Sequence, residues 1–303
     1  MSERRGEIEF AVYIPQFQLS FEQIEERVIA AEAAGFHSVW FMDHLEAPRA
    51  ADVATFEPFT LATALAARTS TIRFGFLTLC NQFRPPALLA KIAASFDVIS
   101  GGRLELGIGW GSFAEEFARF GVPDDPPKVR AAKLVETLEI LELLFTGENV
   151  SYEGTYFQLH DAKALPRPVN GRIPIHVGGV GPQLTLPIVR AHADWWNVPS
   201  YGGHQLDELR PAAGDRVRIS LQRPIGLVLD PAERDDVERV LLRRFGFWGG
   251  HTFGDPDEVA EELAGFASRG VELFILPFWD RATPASLAAF AREVIPRVRT
   301  IAG

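Results

Sequence analysis

Apolar and polar positions along the chain fall into two rhythms that alternate from end to end. One has a period of two, the mark of a strand with one buried face; the other has the three-to-four spacing of an amphipathic helix. IEFAVYI (8–14) reads as a strand, and Ser20 with Gln23 forms a capping box that opens a helix ending near Gly35. HSVWFMD (37–43) predicts a second strand, followed by a helix around 58–68, and TIRFGFLTL (71–79) a third strand. Pro85 and Pro86 open a helix that keeps Leu88, Leu89, Ile92, Phe96 and Ile99 at helical spacing until Gly101 and Gly102 stop it. A fourth strand follows in RLELGIG.

Beyond it lie an amphipathic helix over 128–145 and a hairpin over 151–159 that turns at Glu153-Gly154. The alternation then resumes with IPIHVGG (173–179), a helix through 182–191, and DWWNV (194–198). Strand character returns near 217–229, Asp255, Pro256 and Glu258 start a helix ending near Gly270, ELFILPF (272–278) is a strand, and 284–296 a last helix. Strands separated by helices pair in parallel through right-handed crossovers. About eight such units in 303 residues predict an α/β fold of the (β/α)8 TIM-barrel type with inserted loops. No linker rich in Gly, Ser and Pro divides the chain, so residues 1–303 are expected to form a single domain.

The stretch RLELGIGWGSFAEEF (103–117) raises a question that the pattern alone leaves open. Positions 105, 107 and 109 share one face of the strand, so Gly107 and Gly109 leave space above Glu105. Something flat or bulky is expected to fill it.

Composition narrows the class. No apolar run nears the roughly 20 residues needed to cross a membrane, and MSERRGEIEF lacks the apolar centre of a signal peptide. The single cysteine, Cys80, excludes an intrachain disulfide and points to a reducing cytoplasm. A net charge of −10 argues against a broad nucleic-acid surface. The seven histidines show no metal-ligand spacing, so no metal site is expected. No G-x-S-x-G argues for a nucleophilic hydrolase.

In a barrel of this kind the chemistry sits at the carboxyl ends of the strands. The loop Gly178-Gly179-Val180-Gly181-Pro182 after the fifth strand lets successive backbone N–H groups converge at a helix start, with Pro182 expected in the first turn. That geometry suits a phosphate; a tight β-to-α turn without a ligand is the other reading. Asp43-His44 at the second strand's end supplies a titratable pair, a histidine able to move protons beside a carboxylate able to orient it.

At this point four stretches resemble a known family: AAEAAGFHSVWFMDHL, LTLCNQFRPPALLAKIAASFDVISGGRLELGIGWG, PIHVGGVGPQLTLPIVRAHADWWNV and GDPDEVAEELAGFASRGVELFIL. Their order is similar to that of bacterial luciferase-like proteins, most of all the coenzyme F420-dependent oxidoreductase branch, over about residues 8–295. The resemblance implies a barrel that holds the deazaflavin F420, or FMN, at its mouth, with the glycines of the fourth strand leaving room for the ring. By position it implies that Asp43 lies on the cofactor side and that His44 serves proton or substrate chemistry. Thr78 to Asn81 would line the ring, with a non-proline cis peptide near Phe76 to Thr78. Trp110 and Gly111 would touch the ring and ribityl chain, and Gly178, Gly179, Val180, Gly181 and Pro182, with Leu184 and Thr185, would cradle the phosphate. Sugar-phosphate dehydrogenases of the family carry a glutamate where this chain has Ser112, and lysines for the sugar phosphate that are not evident here.

The leading expectation is therefore an F420-dependent oxidoreductase that moves a hydride to or from a small organic substrate. The alternatives are an FMN-dependent luciferase-like monooxygenase, a non-catalytic flavin-binding protein of the same fold, and an unrelated barrel lyase or hydrolase. The segments 44–57, 199–216 and 243–254 are expected to build the substrate pocket, the last as a lid. Relatives are often dimers, so a homodimer is expected.

Overall fold

The computed structural model describes residues 7–111 and 113–303. Its eight parallel strands are β1 (Glu9–Tyr13), β2 (Ser38–Phe41), β3 (Arg73–Phe76), β4 (Leu104–Gly109), β5 (Ile175–Gly178), β6 (Trp195–Val198), β7 (Arg218–Gln222) and β8 (Val271–Pro277). Each pairs with its sequence neighbours, and β1 pairs with β8, so the sheet closes on itself. Closure removes the exposed edges that a parallel sheet otherwise leaves. The fold class expected from the alternation is present.

Helices cover the outside: α1 (Phe21–Ala33), α2 (Pro58–Ala66), α3 (Pro86–Ser100), α4 (Ala114–Phe120), α5 (Pro127–Phe145), α6 (Thr185–His192), α7 (Leu206–Ala213), α8 (Arg234–Phe245), α9 (Pro256–Ser268), α10 (Pro284–Glu293) and α11 (Ile295–Ala302). The capping box of Ser20 with Gln23 opens α1, and a second, Asp255 with Glu258, opens α9. Gly101 ends α3 in the left-handed conformation at φ 73°.

Several boundaries differ from the sequence pattern. The run 71–79 is not one strand: β3 stops at Phe76, the Leu77–Thr78 peptide is cis, and Leu79–Cys80 forms a separate short strand beside β4. The hairpin strands are Val150–Glu153 and Gln158–Ala162, joined by a turn over 154–157. The segment 217–229 holds β7 and a second strand, Ile225–Leu227, which pairs in parallel with Thr252–Gly254 outside the barrel.

The barrel interior answers the question of the fourth-strand glycines, and it corrects the expectation that they make room for a cofactor. A Cβ on Gly107 would lie 1.8 Å from the Phe76 carbonyl oxygen and 3.1 Å from the Trp40 ring, and one on Gly109 would lie 2.8 Å from Thr78 Oγ1. The flat group above Glu105 is the chain's own indole, and the bulk is the β3 backbone. Below it, Glu105 faces His176 Nε2 at 2.9 Å and accepts from Arg73 Nε, while His176 stacks on Trp195 at 5.1 Å between centroids. This layer fills the amino-terminal half of the barrel with rings and paired charge, leaving the carboxyl-terminal half for ligands.

Candidate active site

The mouth of the barrel is built where β2, β3 and β4 end. β2 runs straight into Met42, Asp43 and His44, and the two titratable residues part company there. Asp43 is 4% exposed: Oδ2 accepts from Cys80 N at 2.7 Å, and Arg84 donates to both carboxylate oxygens at 2.7 and 2.9 Å. Burial raises the Asp43 pKa, and the Arg84 bonds work against that rise without cancelling it. The carboxylate is thus committed to protein, holding the backbone around Cys80 in place.

His44 turns the other way. Its Nδ1 lies 2.9 Å from Glu116 Oε2, while Glu116 Oε1 accepts from Leu45 N at 2.6 Å and Glu46 N at 3.3 Å. Burial pushes the Glu116 pKa up, but the His44 contact and the two backbone donors outweigh it and hold the carboxyl below its usual range. An ionised carboxylate only accepts, so Nδ1 carries a proton toward Glu116 and Nε2 is the nitrogen left to exchange a proton with a ligand. The His44 ring meets Phe113 edge-on at 4.7 Å. His44 and Phe113 line three adjoining cavities of about 430, 210 and 530 Å³ and form their junction.

The cavity of about 210 Å³ gathers Asp43, His44, Thr78 and Gly111 with Leu77, Cys80, Phe113, Glu116 and Phe117. Gly111 is required here: its φ is +79°, and a Cβ would press on Cys80 Sγ and on Phe117 Cζ, each at 2.8 Å. Thr78 reaches across to the fifth strand, where a Cβ on Gly178 would meet its Cγ2 at 2.9 Å. Trp110 Nε1 donates to Thr185 Oγ1 at 3.2 Å, tying the fourth-strand loop to the fifth. Asn81 is 5% exposed, and neither its amide oxygen nor its amide nitrogen has a partner among the described residues.

The fifth-strand loop keeps the order expected of it with one change. Helix α6 begins at Thr185 with Leu184 before it, so Pro182 lies in the preceding turn and not in the first helical turn. Thr185 N and Leu186 N both donate to the Gly181 carbonyl at 3.0 Å, and Trp196 Nε1 donates to Gly179 O at 2.7 Å. Gly179 has φ +123°, whereas Gly181 is not left-handed. Val180 and Leu184 pack on the core. Ser112 lies outside the described residues.

Two groups at the mouth were not singled out from the sequence, Glu116 and Arg84. The signal for the first was present in Ala114-Glu115-Glu116-Phe117: one of two adjacent acids in a helix's first turn is 4% exposed, which demands a partner. Of the segment 243–254, Phe245, Phe247 and Trp248 line the cavity of about 530 Å³. Among the described residues no three His, Cys, Asp or Glu side chains converge as a metal site would require.

Comparison with known proteins matches residues 8–218 to the model of the luciferase-like monooxygenase family. An F420-dependent glucose-6-phosphate dehydrogenase of Amycolatopsis mediterranei (strain U-32) is 33% identical, over 94% of this chain and 96% of its own length. In structure, an F420-dependent secondary alcohol dehydrogenase, solved with an F420-acetone adduct, superposes with a TM-score of 0.79 at 19% identity, covering 96% and 99% of the two chains. The oxygenating constituent of 3,6-diketocamphane monooxygenase from Pseudomonas putida, solved with FMN, superposes at 0.76 with 19% identity, covering 96% and 98%. At those identities the structural matches speak for the fold alone.

Proposed function

The chain belongs to the luciferase-like monooxygenase family, and on that premise we propose that it is an F420-dependent oxidoreductase acting on a small organic molecule. The observation that carries this reading is the His44–Glu116 pair at the junction of the mouth cavities, beside Thr78 and Gly111. It joins a proton-transfer group to a hollow built from three strand ends, in a chain similar over nearly its whole length to an F420-dependent dehydrogenase.

The residues fit such a cofactor. Asn81 offers an amide with both polar atoms unpartnered, and the turn at Gly178 to Gly181 lacks the Cβ atoms that would press on Thr78 and Thr185. We assign Thr78, Asn81, Trp110 and Gly111 to the ring and its chain, and Gly178, Gly179, Val180, Gly181, Pro182, Leu184 and Thr185 to the phosphate. Asp43 acts on the cofactor side by holding Cys80 N and Arg84, which shape that wall.

F420, when bound, supplies hydride exchange with the substrate. His44 takes up the substrate's proton at Nε2 or returns it, and Glu116 steadies the resulting imidazolium. Phe113, with Phe245 and Trp248, shields the reacting atoms from water. The reading includes the whole chain acting as one domain in the cytoplasm, in keeping with one buried thiol and no helix among the described residues long and apolar enough to cross a membrane. Pairing of two copies rests on the family resemblance alone.

Fluorescence titrations of F420 and FMN in one buffer test the proposal. F420 is expected to bind at micromolar concentration or below, with FMN weaker. Tighter binding of FMN would favour the monooxygenase reading, and binding of neither would discard both.

A further inference from the structure

Building on the assignment of the barrel mouth as a redox site, we propose that its substrate is an apolar molecule carrying a single anionic group, a carboxylate or a phosphate monoester. The cavity of about 530 Å³ is of the size that small ligands occupy. One wall is apolar and aromatic: Tyr13, Met42, Leu77, Phe113, Phe245 and Trp248. His44 also faces this hollow, so a molecule filling it meets the proton-transfer group and the apolar wall together.

The same lining supplies the charge. Arg49, Arg243, Arg244 and Arg281 line the same cavity. In a chain with 40 acidic residues and a net charge of −10, arginines have carboxylates to choose from. Arg73, Arg84 and Arg223 each sit on one. None of the four lining arginines forms an ion pair among the described residues. Arg244 donates instead to the Trp279 carbonyl, Arg281 to Gln18 Oε1, and the Arg49 guanidinium lies 4.4 Å from the Phe247 ring centre.

The neighbouring carboxylate, Asp280, is occupied by Ala282 N and the hydroxyls of Thr283 and Ser286. Burial lowers the pKa of Arg244, and the charges of Arg281 and Arg243 add to the effect; burial likewise lowers that of Arg281, with Arg27 and Arg243 adding. Asp280 offsets part of this charge at Arg244 without pairing with any of the four, and like charges left in excess are relieved by an incoming anion. An anion held there forms charge-assisted hydrogen bonds, the stronger class.

The apolar wall sets the rest of the molecule. A hexose carries a hydroxyl on nearly every carbon, and against Met42, Leu77 and the rings those hydroxyls would lose water without gaining partners. An alkyl or aryl body loses nothing there. This wall therefore suits an alkyl or aryl body better than a hexose.

Calorimetric titration of decanoate, decanol and glucose 6-phosphate, into the protein alone and into protein saturated with F420, tests the inference. Decanoate is expected to bind at least about tenfold more tightly than either of the others. The double variant Arg49→Asn, Arg243→Ala should erase that preference and leave decanol affinity unchanged. Asparagine tolerates the left-handed backbone at position 49, where φ is 62°, and Arg243 is exposed, so both changes are mild. Arg243→Lys, which keeps the charge, should retain most of the preference. Equal binding of decanoate and decanol, stronger binding of glucose 6-phosphate, a preference that survives the double variant, or no binding of any of the three overturns the proposal. F420 titration of the same samples separates the two readings. F420 binding without a decanoate preference discards only the substrate class, and a decanoate preference without F420 binding discards the F420 assignment while keeping the anion site.

Discussion

His44 and Glu116, 72 positions apart in sequence, share a 2.9 Å hydrogen bond that decides which imidazole nitrogen faces the ligand. Because Glu116 is kept ionised, a proton stays on Nδ1 and Nε2 is left for the ligand. His44→Ala is expected to lower turnover by about 10²–10⁴-fold while leaving F420 affinity within about twofold. Glu116→Gln should lower turnover by roughly tenfold and alter the pH profile, since an amide can pair with either tautomer. Steady-state kinetics on any substrate that turns over, beside an F420 titration of each variant, checks both. Normal turnover in His44→Ala would make the imidazole structural; loss of F420 would move it into the binding shell.

Gly181→Asp is expected to weaken F420 binding by about tenfold or more without unfolding the barrel. The left-handed backbone is not the cause here, because Gly181 does not adopt it. A side chain at this position would meet Thr185 Oγ1 at 3.2 Å, and its negative charge would oppose a phosphate at the start of α6. Unchanged binding with an unchanged circular dichroism spectrum would place the phosphate elsewhere.

Gly107→Ala should destabilise the fold by about 3 kcal/mol, the upper part of the range for overpacking, because the added carbon meets a backbone oxygen. The change touches none of the residues assigned to the cofactor. Urea unfolding measures it, and a midpoint equal to that of the parent would show that β3 can retreat from β4 at little cost.

The buried layer beneath Trp40 makes stability fall as the medium is acidified. Burial lowers the His176 pKa, so below the ordinary histidine value of about 6.5 the unfolded chain binds a proton that the folded chain refuses. Burial alone would raise the Glu105 pKa, but His176, His37 and Arg73 hold it far below the usual carboxylate range. Its stabilisation is complete above the unfolded value of about 4.3 and is lost as pH falls from there toward the folded value. Urea midpoints should be flat near about pH 7.5, lower at about 5.5 and much lower at about 4. Glu105→Gln should flatten the lowest part of that curve while destabilising the protein by roughly 3–5 kcal/mol at neutral pH. A pH profile identical to the parent's would remove Glu105 from the account.

The barrel was legible in the sequence because each of its strands and most of its helices carry their own period and their own stops, as Gly101 and the Ser20 capping box illustrate. The mouth was legible only as strand ends. Asp43 and His44 stood out as titratable neighbours, yet the partners that give them different duties come from elsewhere in the chain, Arg84 from the bend before α3 and Glu116 from the first turn of α4, and no local pattern encodes which neighbour each would meet. The glycines at 107 and 109 signalled space to be filled, and the resemblance pointed to a cofactor ring where the chain's own indole and backbone stand. Trp40 and Phe76 arrive there from two other strands, through closure of the sheet.

The strands Ile225–Leu227 and Thr252–Gly254 lie side by side at the two ends of the segment that carries α8, Phe247 and Trp248. Thr252 N donates to Pro224 O and Val228 N to Gly254 O, each at 2.8 Å, so entry and exit are clasped together before the chain rejoins the barrel. What hangs beyond that clasp is a cassette. Its residues shape the apolar cavity without contributing a strand to the closed sheet, so the pocket wall is carried by a unit separate from the strands that lead into His44 and Gly111. A change of length or sequence between these two anchors would alter the cavity wall without breaking the pairing of any barrel strand.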